Sequence, residues 1–412
     1  MIIYKNKKVE MDKFLLNILL FVILFQLSFQ LTKKVDFAVV DEYIDELMTK
    51  STTKFPAWNI EKKEQGKESG WDYIDGCMIL ALLEIYSTTK QSKYLTFSDS
   101  YIDYRVKEDG TIKGYNKDKF NLDYINGAKN LITLYKLNNK KKYKKALGKV
   151  FQQILEQPRT KEGNFWHKKT YPNQVWLDGL YMALPFYMEY DVLYNKSRNI
   201  NDIYNQFFNV HKIMRDSKTG LYYHGYDSSK KMFWADKKTG LSKNFWLRSL
   251  GWYSMALLDT LNLASDKNSD NWNKLKNIFI DLTDSMLKFQ DSTGMWYQVP
   301  NYPGKAKNYL ETSGTAIFAY SLLKGYRTGI LKDIKYQNAG KLAFEGTCDK
   351  YLKTDNGKLS LGGICLSAGL GPETNTERDG SYEYYISETV VEDDAKGVGP
   401  FILAYNEYRL LK

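Results

Sequence analysis

A chain of 412 residues with 43% hydrophobic and 26% charged side chains is able to bury a large core, which excludes wholesale disorder. Its net charge of +11 comes from lysines scattered over Asn- and Tyr-rich stretches. With no basic tail and no recognisable nucleic-acid module, nucleic acid is not the expected partner. Aromatic residues make up 15% of the chain, 33 of them tyrosines, which suits flat polar ligands such as sugars as well as plain core packing.

The N-terminus carries lysines and then an apolar run from Phe14 to Phe29, broken only by Asn17, Gln26 and Ser28. This predicts a signal peptide over residues 1–30, a secreted protein, and a single domain over 31–412. No small-x-small cleavage pattern follows the run, so an uncleaved membrane anchor through residues 14–29 stays open. Residues 1–30 hold four lysines against two acids, leaving 11 − 2 = +9 on the remainder, a balance that favours an acidic ligand.

From about residue 40 the chain repeats one theme: an apolar stretch at helical spacing, a loop rich in Gly, Asp, Asn and aromatics, then another helical stretch. The spacing predicts helices over Cys77–Tyr86, Ile125–Tyr135, Lys144–Leu155, Leu180–Tyr190, Ile203–Met214, Gly251–Leu263, Trp272–Phe289, Thr315–Gly325 and Gly399–Leu411. Six loops recur ahead of such helices, for the most part fifty to seventy residues apart: Trp71–Gly76, Leu122–Gly127, Trp176–Gly179, Trp246–Trp252, Glu311–Gly314 and Gly380–Tyr385. Repeats of this size are supersecondary units that bury one face against their neighbours. The expected fold is all-α, a six-hairpin (α/α)6 toroid whose six loops line one mouth. The C-terminal stretch Phe401 to Leu411 reads as amphipathic rather than as a polar cap, which favours a closed ring over an open solenoid.

Cys77 reads as a buried thiol, while Cys348 and Cys365 are free to pair in an oxidising compartment. Asn195-Lys-Ser197 is a glycosylation sequon. There is no His/Cys ligand cluster, no P-loop and no GxGxxG at a strand–helix turn, so neither metal nor cofactor is expected.

Among the loop residues, Asp178 lies between Trp176 and Gly179 at the head of an apolar helix. It reads either as a helix cap or as a general acid whose carboxyl is raised by burial. Asp123 has the same two readings, as cap or as the second carboxylate of an acid/base pair. Two of the chain's three histidines, His167 and His224, fall in such loops, whereas His211 sits within an amphipathic helix. Tyr73, Trp176, Trp246 and Trp252 read as sugar-stacking platforms or as core packing at helix ends. Lys168 and Arg248 read as clamps for a carboxylate, or, for Arg248, as one half of an ion pair between helices.

Several segments together resemble the unsaturated rhamnogalacturonyl hydrolases of glycoside hydrolase family 105. They are Leu122-Asp-Tyr-Ile-Asn-Gly127, His167-Lys168, Val175-Trp-Leu-Asp-Gly-Leu-Tyr-Met-Ala183, His224-Gly225, Phe245-Trp-Leu-Arg248 with Gly251-Trp252, Glu311-Thr-Ser-Gly-Thr315, and Asp379 to Glu388 with Gly397-Val-Gly-Pro400. The similarity runs from about Trp71 to Leu403. It implies a six-hairpin α/α barrel that acts on oligosaccharides left by polysaccharide lyases, removing a terminal 4,5-unsaturated galacturonic acid by hydration of the C4=C5 bond. It further implies Asp178 as general acid and base, Asp123 as the second carboxylate, and Tyr73, His167, Lys168, Trp176, His224, Trp246, Arg248 and Trp252 as substrate contacts. Leu247 and Leu250 depart from the smaller or polar residues expected, and Gly362-Gly-Ile-Cys365 looks like an ordinary variant of a Gly-rich loop. The rival readings are an unsaturated glucuronyl hydrolase acting on ulvan- or glycosaminoglycan-type oligosaccharides, a non-catalytic sugar-binding toroid, and an ordinary hydrolase of saturated glycosidic bonds.

Overall fold

The computed structural model of the chain describes residues 35–411, so the apolar run Phe14 to Phe29 lies outside the described residues. Among them, no helix is long and apolar enough to cross a membrane. Twelve long helices make up most of the unit Ala38–Lys412. They are α1 (Phe37–Thr49), α2 (Tyr73–Thr89), α3 (Ser92–Arg105), α4 (Ala128–Asn138), α5 (Lys141–Glu156), α6 (Leu177–Tyr194), α7 (Ile200–Met214), α8 (Leu247–Leu263), α9 (Asp270–Leu287), α10 (Thr312–Arg327), α11 (Ile334–Tyr351) and α12 (Ala395–Leu410).

The even-numbered helices form an inner ring in which each packs on the next and α12 returns to α2. Most of their sequences are apolar or small on nearly every side because nearly every side is covered, α4 with its exposed last turn being the exception. In α8, residues 247 to 261 are buried without a break, and α12 is buried from Ala395 to Tyr408. The outer helices α3, α5, α7, α9 and α11 each pack on the preceding inner helix, and the sixth outer position is taken by α1. Tyr43 of α1 meets the Phe401 ring of α12 edge-on at 6.3 Å, and the Tyr405 hydroxyl donates to Asp41. The two ends of the ring thus close on each other, forming the (α/α)6 toroid.

Phe401 is fully buried between Tyr43 and Phe344, stacked on the latter at 4.8 Å. Phe401→Ala is expected to cost about 3–5 kcal/mol through lost burial and a cavity. Denaturant unfolding would measure this, and a loss below about 1 kcal/mol would mean that the closure is not held by this packing.

Three helices were not predicted: α3 and α11 carry too little apolar periodicity, whereas α1 does show a stripe at helical spacing, Val40, Tyr43, Ile44 and Leu47, that the sequence reading passed over. The inner helices also begin earlier than predicted, at Tyr73, Leu177, Leu247, Thr312 and Ala395, because their first turns carry polar residues turned toward the mouth. The helix expected over Ile125–Tyr135 is a one-turn helix Asp123–Asn126 followed, after Gly127, by α4. The C-terminal stretch is not amphipathic in place: α12 is an inner helix, covered all round.

The three described cysteines are free thiols, so Cys348 and Cys365 do not pair. At the sequon, the Asn195 amide is engaged, donating to Asp191 at 2.6 Å.

Candidate active site

Two motif loops meet through a short antiparallel ladder, β1 (Gln174–Trp176) against β2 (Gly225–Asp227), with Trp176 opposite Gly225. The Leu177 N–H donates to the His224 carbonyl at the start of α6. This pairing delivers Asp178, the second residue of α6, to His224: its Oδ2 lies 3.2 Å from His224 Nε2. On its far side, His224 Nδ1 is 2.7 Å from the Tyr385 hydroxyl. The His224 ring is thus held between the Tyr385 hydroxyl and the Asp178 carboxylate.

Neither aspartate caps its helix. The N-cap positions, Trp176 for α6 and Leu122 for Asp123–Asn126, make no side-chain cap bond. That work is done elsewhere by Asp72, Asp394 and Glu311, the last accepting from the Ser313 and Gly314 N–H groups at 3.0 and 2.7 Å. Asp178 Oδ2 and His224 Nε2 are both buried and face each other at 3.2 Å without good hydrogen-bond alignment, and no other protein group completes either atom. A buried carboxylate oxygen left this way is costly unless a ligand completes it.

The electrostatics differ from the expectation of a raised Asp178. Burial does push its carboxyl up, but His224 beside it, with His167, outweighs burial and holds it below the ordinary value. His167 is pushed down to about 4, chiefly by burial, so it is neutral at pH 7. The prediction follows directly. In His224→Gln the group holding Asp178 down is gone, burial dominates, and the Asp178 carboxyl rises. If Asp178 must be protonated to act, the alkaline limb of kcat/KM moves to higher pH in this variant, and a limb that stays put or moves down would refute the coupling.

Asp123 is held by a second pair. Lys168 Nζ is 2.6 Å from its Oδ2 and His167 Nε2 is 3.7 Å from its Oδ1. Lys168 is thereby already engaged by a protein carboxylate. His167 and Tyr171 both stack on the Trp176 ring, at 4.6 and 4.8 Å. The stack needs Gly179, where an added Cβ would stand 2.8 Å from His167 Nδ1.

Arg248 is 1% exposed and forms no ion pair among the described residues, so the helix-to-helix ion pair is not its role. Its guanidinium donates to the carbonyls of Cys365 and Leu366 and to Ser313 Oγ, and lies 4.7 Å over the Trp246 ring. Burial works against the cation, but Cys365, Tyr73, Glu311 and Asp394 around it more than offset this, so it stays charged. The loop Gly362-Gly-Ile-Cys365, unremarkable as sequence, is the seat of this arginine. Leu247, a departure from the expected pattern, packs where a Cβ on Gly314 would stand 2.4 Å from its Cγ, so the leucine and the motif glycine are complementary.

The aromatic residues are less open than a platform reading expects. Trp246 lies parallel to Tyr385 at 6.1 Å, with its indole N–H on Gln298. Trp252 stacks on Tyr181 at 4.8 Å between α8 and α6; its face is taken by the core. Tyr73, the first residue of α2, is half-buried, its hydroxyl influenced by Arg248 and Asp123. Sequence reading passed over Tyr385, although its motif loop was noted, and Gln298, which donates to the Tyr385 carbonyl and has no motif of its own. Among the described residues no group of three His, Cys, Asp or Glu side chains is placed to hold a metal ion.

The model of the family "Glycosyl Hydrolase Family 88" matches residues 43–411. A solved family 105 glycoside hydrolase from C. acetobutylicum ATCC 824 is 40% identical with a TM-score of 0.81, covering 89% of this chain and 99% of that one. Protein Atu3128 of Agrobacterium fabrum is 38% identical over 56% of this chain and 99% of its own length. The unsaturated rhamnogalacturonyl hydrolase YesR of Bacillus subtilis is 23% identical over 64% of this chain and 73% of its own. With a family model spanning nearly the whole described ring and a solved relative of 40% identity matched almost end to end, the chain belongs to glycosyl hydrolase family 88 and its relative, family 105, and is a glycoside hydrolase of the unsaturated-uronide type.

Proposed function

We propose that the protein removes a terminal 4,5-unsaturated galacturonic acid from rhamnogalacturonan oligosaccharides. The observation that carries this reading is the meeting, at one mouth, of the Asp178 carboxylate, faced by His224 at 3.2 Å, with a buried Arg248 that forms no ion pair among the described residues. An anionic, unsaturated uronide supplies what both lack: a carboxylate for the arginine and a reacting carbon for the acid. The likeness to the Bacillus subtilis enzyme and the basic surface point the same way.

In this mechanism the arriving carboxylate raises the Asp178 carboxyl, loading it with a proton. Asp178 gives that proton to C4, and the positive charge is shared between C5 and the ring oxygen. Water adds at C5 and returns a proton to Asp178. The resulting hemiketal opens, the bond to the leaving sugar breaks, and a keto-uronate and a shortened oligosaccharide depart. Asp123, held by Lys168, orients water or sugar hydroxyls, while His167, Trp176 and His224 shape the uronide pocket, with Tyr73 and Trp246 on the Arg248 side.

The test is ultraviolet absorbance of the conjugated double bond on lyase-treated rhamnogalacturonan oligosaccharides and on unsaturated glucuronyl substrates, with release of reducing ends measured on untreated polysaccharide, which has no such bond. Faster loss on the first supports the galacturonyl reading, and faster loss on the second replaces it with the glucuronyl one. Activity only on untreated polymer indicates ordinary hydrolysis of saturated bonds, and no activity on any of them leaves a sugar-binding toroid. We also propose that residues 1–30 export the protein, which N-terminal sequencing of the mature form from culture medium would check.

A further inference from the structure

A groove of about 450 Å³ lies apart from Asp178, between α1, residues 55–67 and the turn leading to Leu359. Its floor is apolar, formed by Leu47, Pro56 and Leu359, and on its edge Phe55 leaves 54% of its surface in water. Phe55 is the most exposed large hydrophobic side chain among the described residues, and its place beside a cavity with an apolar floor offers a ligand a continuous apolar face.

The charges around the groove are uneven. Lys50 is taken by Glu46 at 2.6 Å and Lys358 lies 3.6 Å from Asp393. Lys62, Lys63 and Lys67 form no ion pair among the described residues, and Glu392 is the lining acid left unpaired. Three unmatched cations against one unmatched anion, spaced along about two turns of chain beside an aromatic ring, fit a ligand that carries anionic groups at intervals and presents C–H faces between them.

The groove is also tied to the mouth. The one-turn helix Ile60–Glu64 separates the two: Lys62 and Lys63 line the groove, while Glu61 reaches Lys396 at 2.8 Å and feels the charge of Arg248. A chain held in the groove would lie behind one wall of the active-site mouth.

We propose that this groove is an auxiliary binding site for an acidic polysaccharide chain, with Phe55 stacking on a sugar ring and Lys62, Lys63 and Lys67 pairing with uronate carboxylates. It holds the enzyme on polymer without contributing to turnover. The choice of polymer rests on the proposed function, but the site itself does not depend on Asp178.

The test is affinity electrophoresis of the full chain in gels containing rhamnogalacturonan, with dextran as the neutral control. The parent and Asp178→Asn are expected to be retarded by the acidic polymer alone, less so at high salt. The combined variant Phe55→Ala, Lys62→Ala, Lys63→Ala, Lys67→Ala should bind at least about tenfold more weakly, while turning over a short unsaturated disaccharide at the parent rate. Phe55→Ala alone serves if the combined variant is unstable, and should weaken retardation without altering its salt dependence. Equal retardation of parent and variants, or none of the parent, overturns the proposal. So does a parent that dimerises where the combined variant stays monomeric, since that makes the groove an interface between copies. Retardation without activity on the disaccharide would uphold the groove and sink the catalytic reading instead.

Discussion

Asp178→Asn is expected to reduce kcat for loss of the conjugated double bond by roughly 10³-fold, the scale associated with removing a positioned general acid. The amide is nearly the same size as the carboxyl and keeps an oxygen toward His224, so the toroid and substrate affinity should persist while the proton for C4 is lost. Absorbance kinetics on an unsaturated disaccharide, with circular dichroism to confirm the fold, measures this. The comparison with Asp123→Asn is informative, because Asp123 is engaged by Lys168 at 2.6 Å whereas Asp178 Oδ2 is met by His224 at 3.2 Å and by no lysine or arginine among the described residues. A larger loss at Asp123 than at Asp178 would reverse the assignment of roles.

Arg248→Lys carries the second large effect. The guanidinium is fixed by the Cys365 and Leu366 carbonyls, by Ser313 and by the face of Trp246. A lysine keeps the charge but cannot occupy that seat as a planar fork. Losing a buried charge–carboxylate contact is worth about 2–5 kcal/mol, so KM for the unsaturated uronide is expected to rise by roughly 10²-fold, with a smaller fall in kcat. Steady-state kinetics on substrate and on its carboxyl methyl ester separates the causes. The ester should be a poor substrate for the parent and nearly indifferent to the substitution. An ester that is equally sensitive would mean that Arg248 holds the site together rather than the carboxylate.

Much of this architecture can be read from the chain. Loops such as Trp176-Leu-Asp-Gly179 stand ahead of helices that are apolar on every side, and such helices are only stable inside a ring of their own kind. The outer helices α3 and α11 are less legible, because a helix covering one face of a ring needs few apolar residues and resembles an exposed one; α1 was legible in its stripe of Val40, Tyr43, Ile44 and Leu47 and was missed. The site is legible where residue type is constrained by chemistry, as at Asp123, Asp178, His167, His224 and Arg248. It is not legible where any hydrogen-bonding residue of suitable size would serve, as at Gln298, or where the backbone itself is the partner, as at Cys365 and Leu366.

The amino-acid sequence by itself determined the helical class, the six-fold repeat and the family, since these rest on periodicity and on local motifs that survive without knowledge of contacts. The tertiary structure alone decided that α1 closes the ring against α12 and that Trp252 belongs to the core. It also decided that Lys168 is engaged by Asp123, and that Asp178 sits below rather than above the ordinary carboxyl range. Each of these depends on which groups from distant parts of the chain come within a few ångströms. A carboxyl's proton affinity is set by those neighbours, here a histidine 46 positions away brought in by two paired three-residue strands, and local sequence contains no record of that distance.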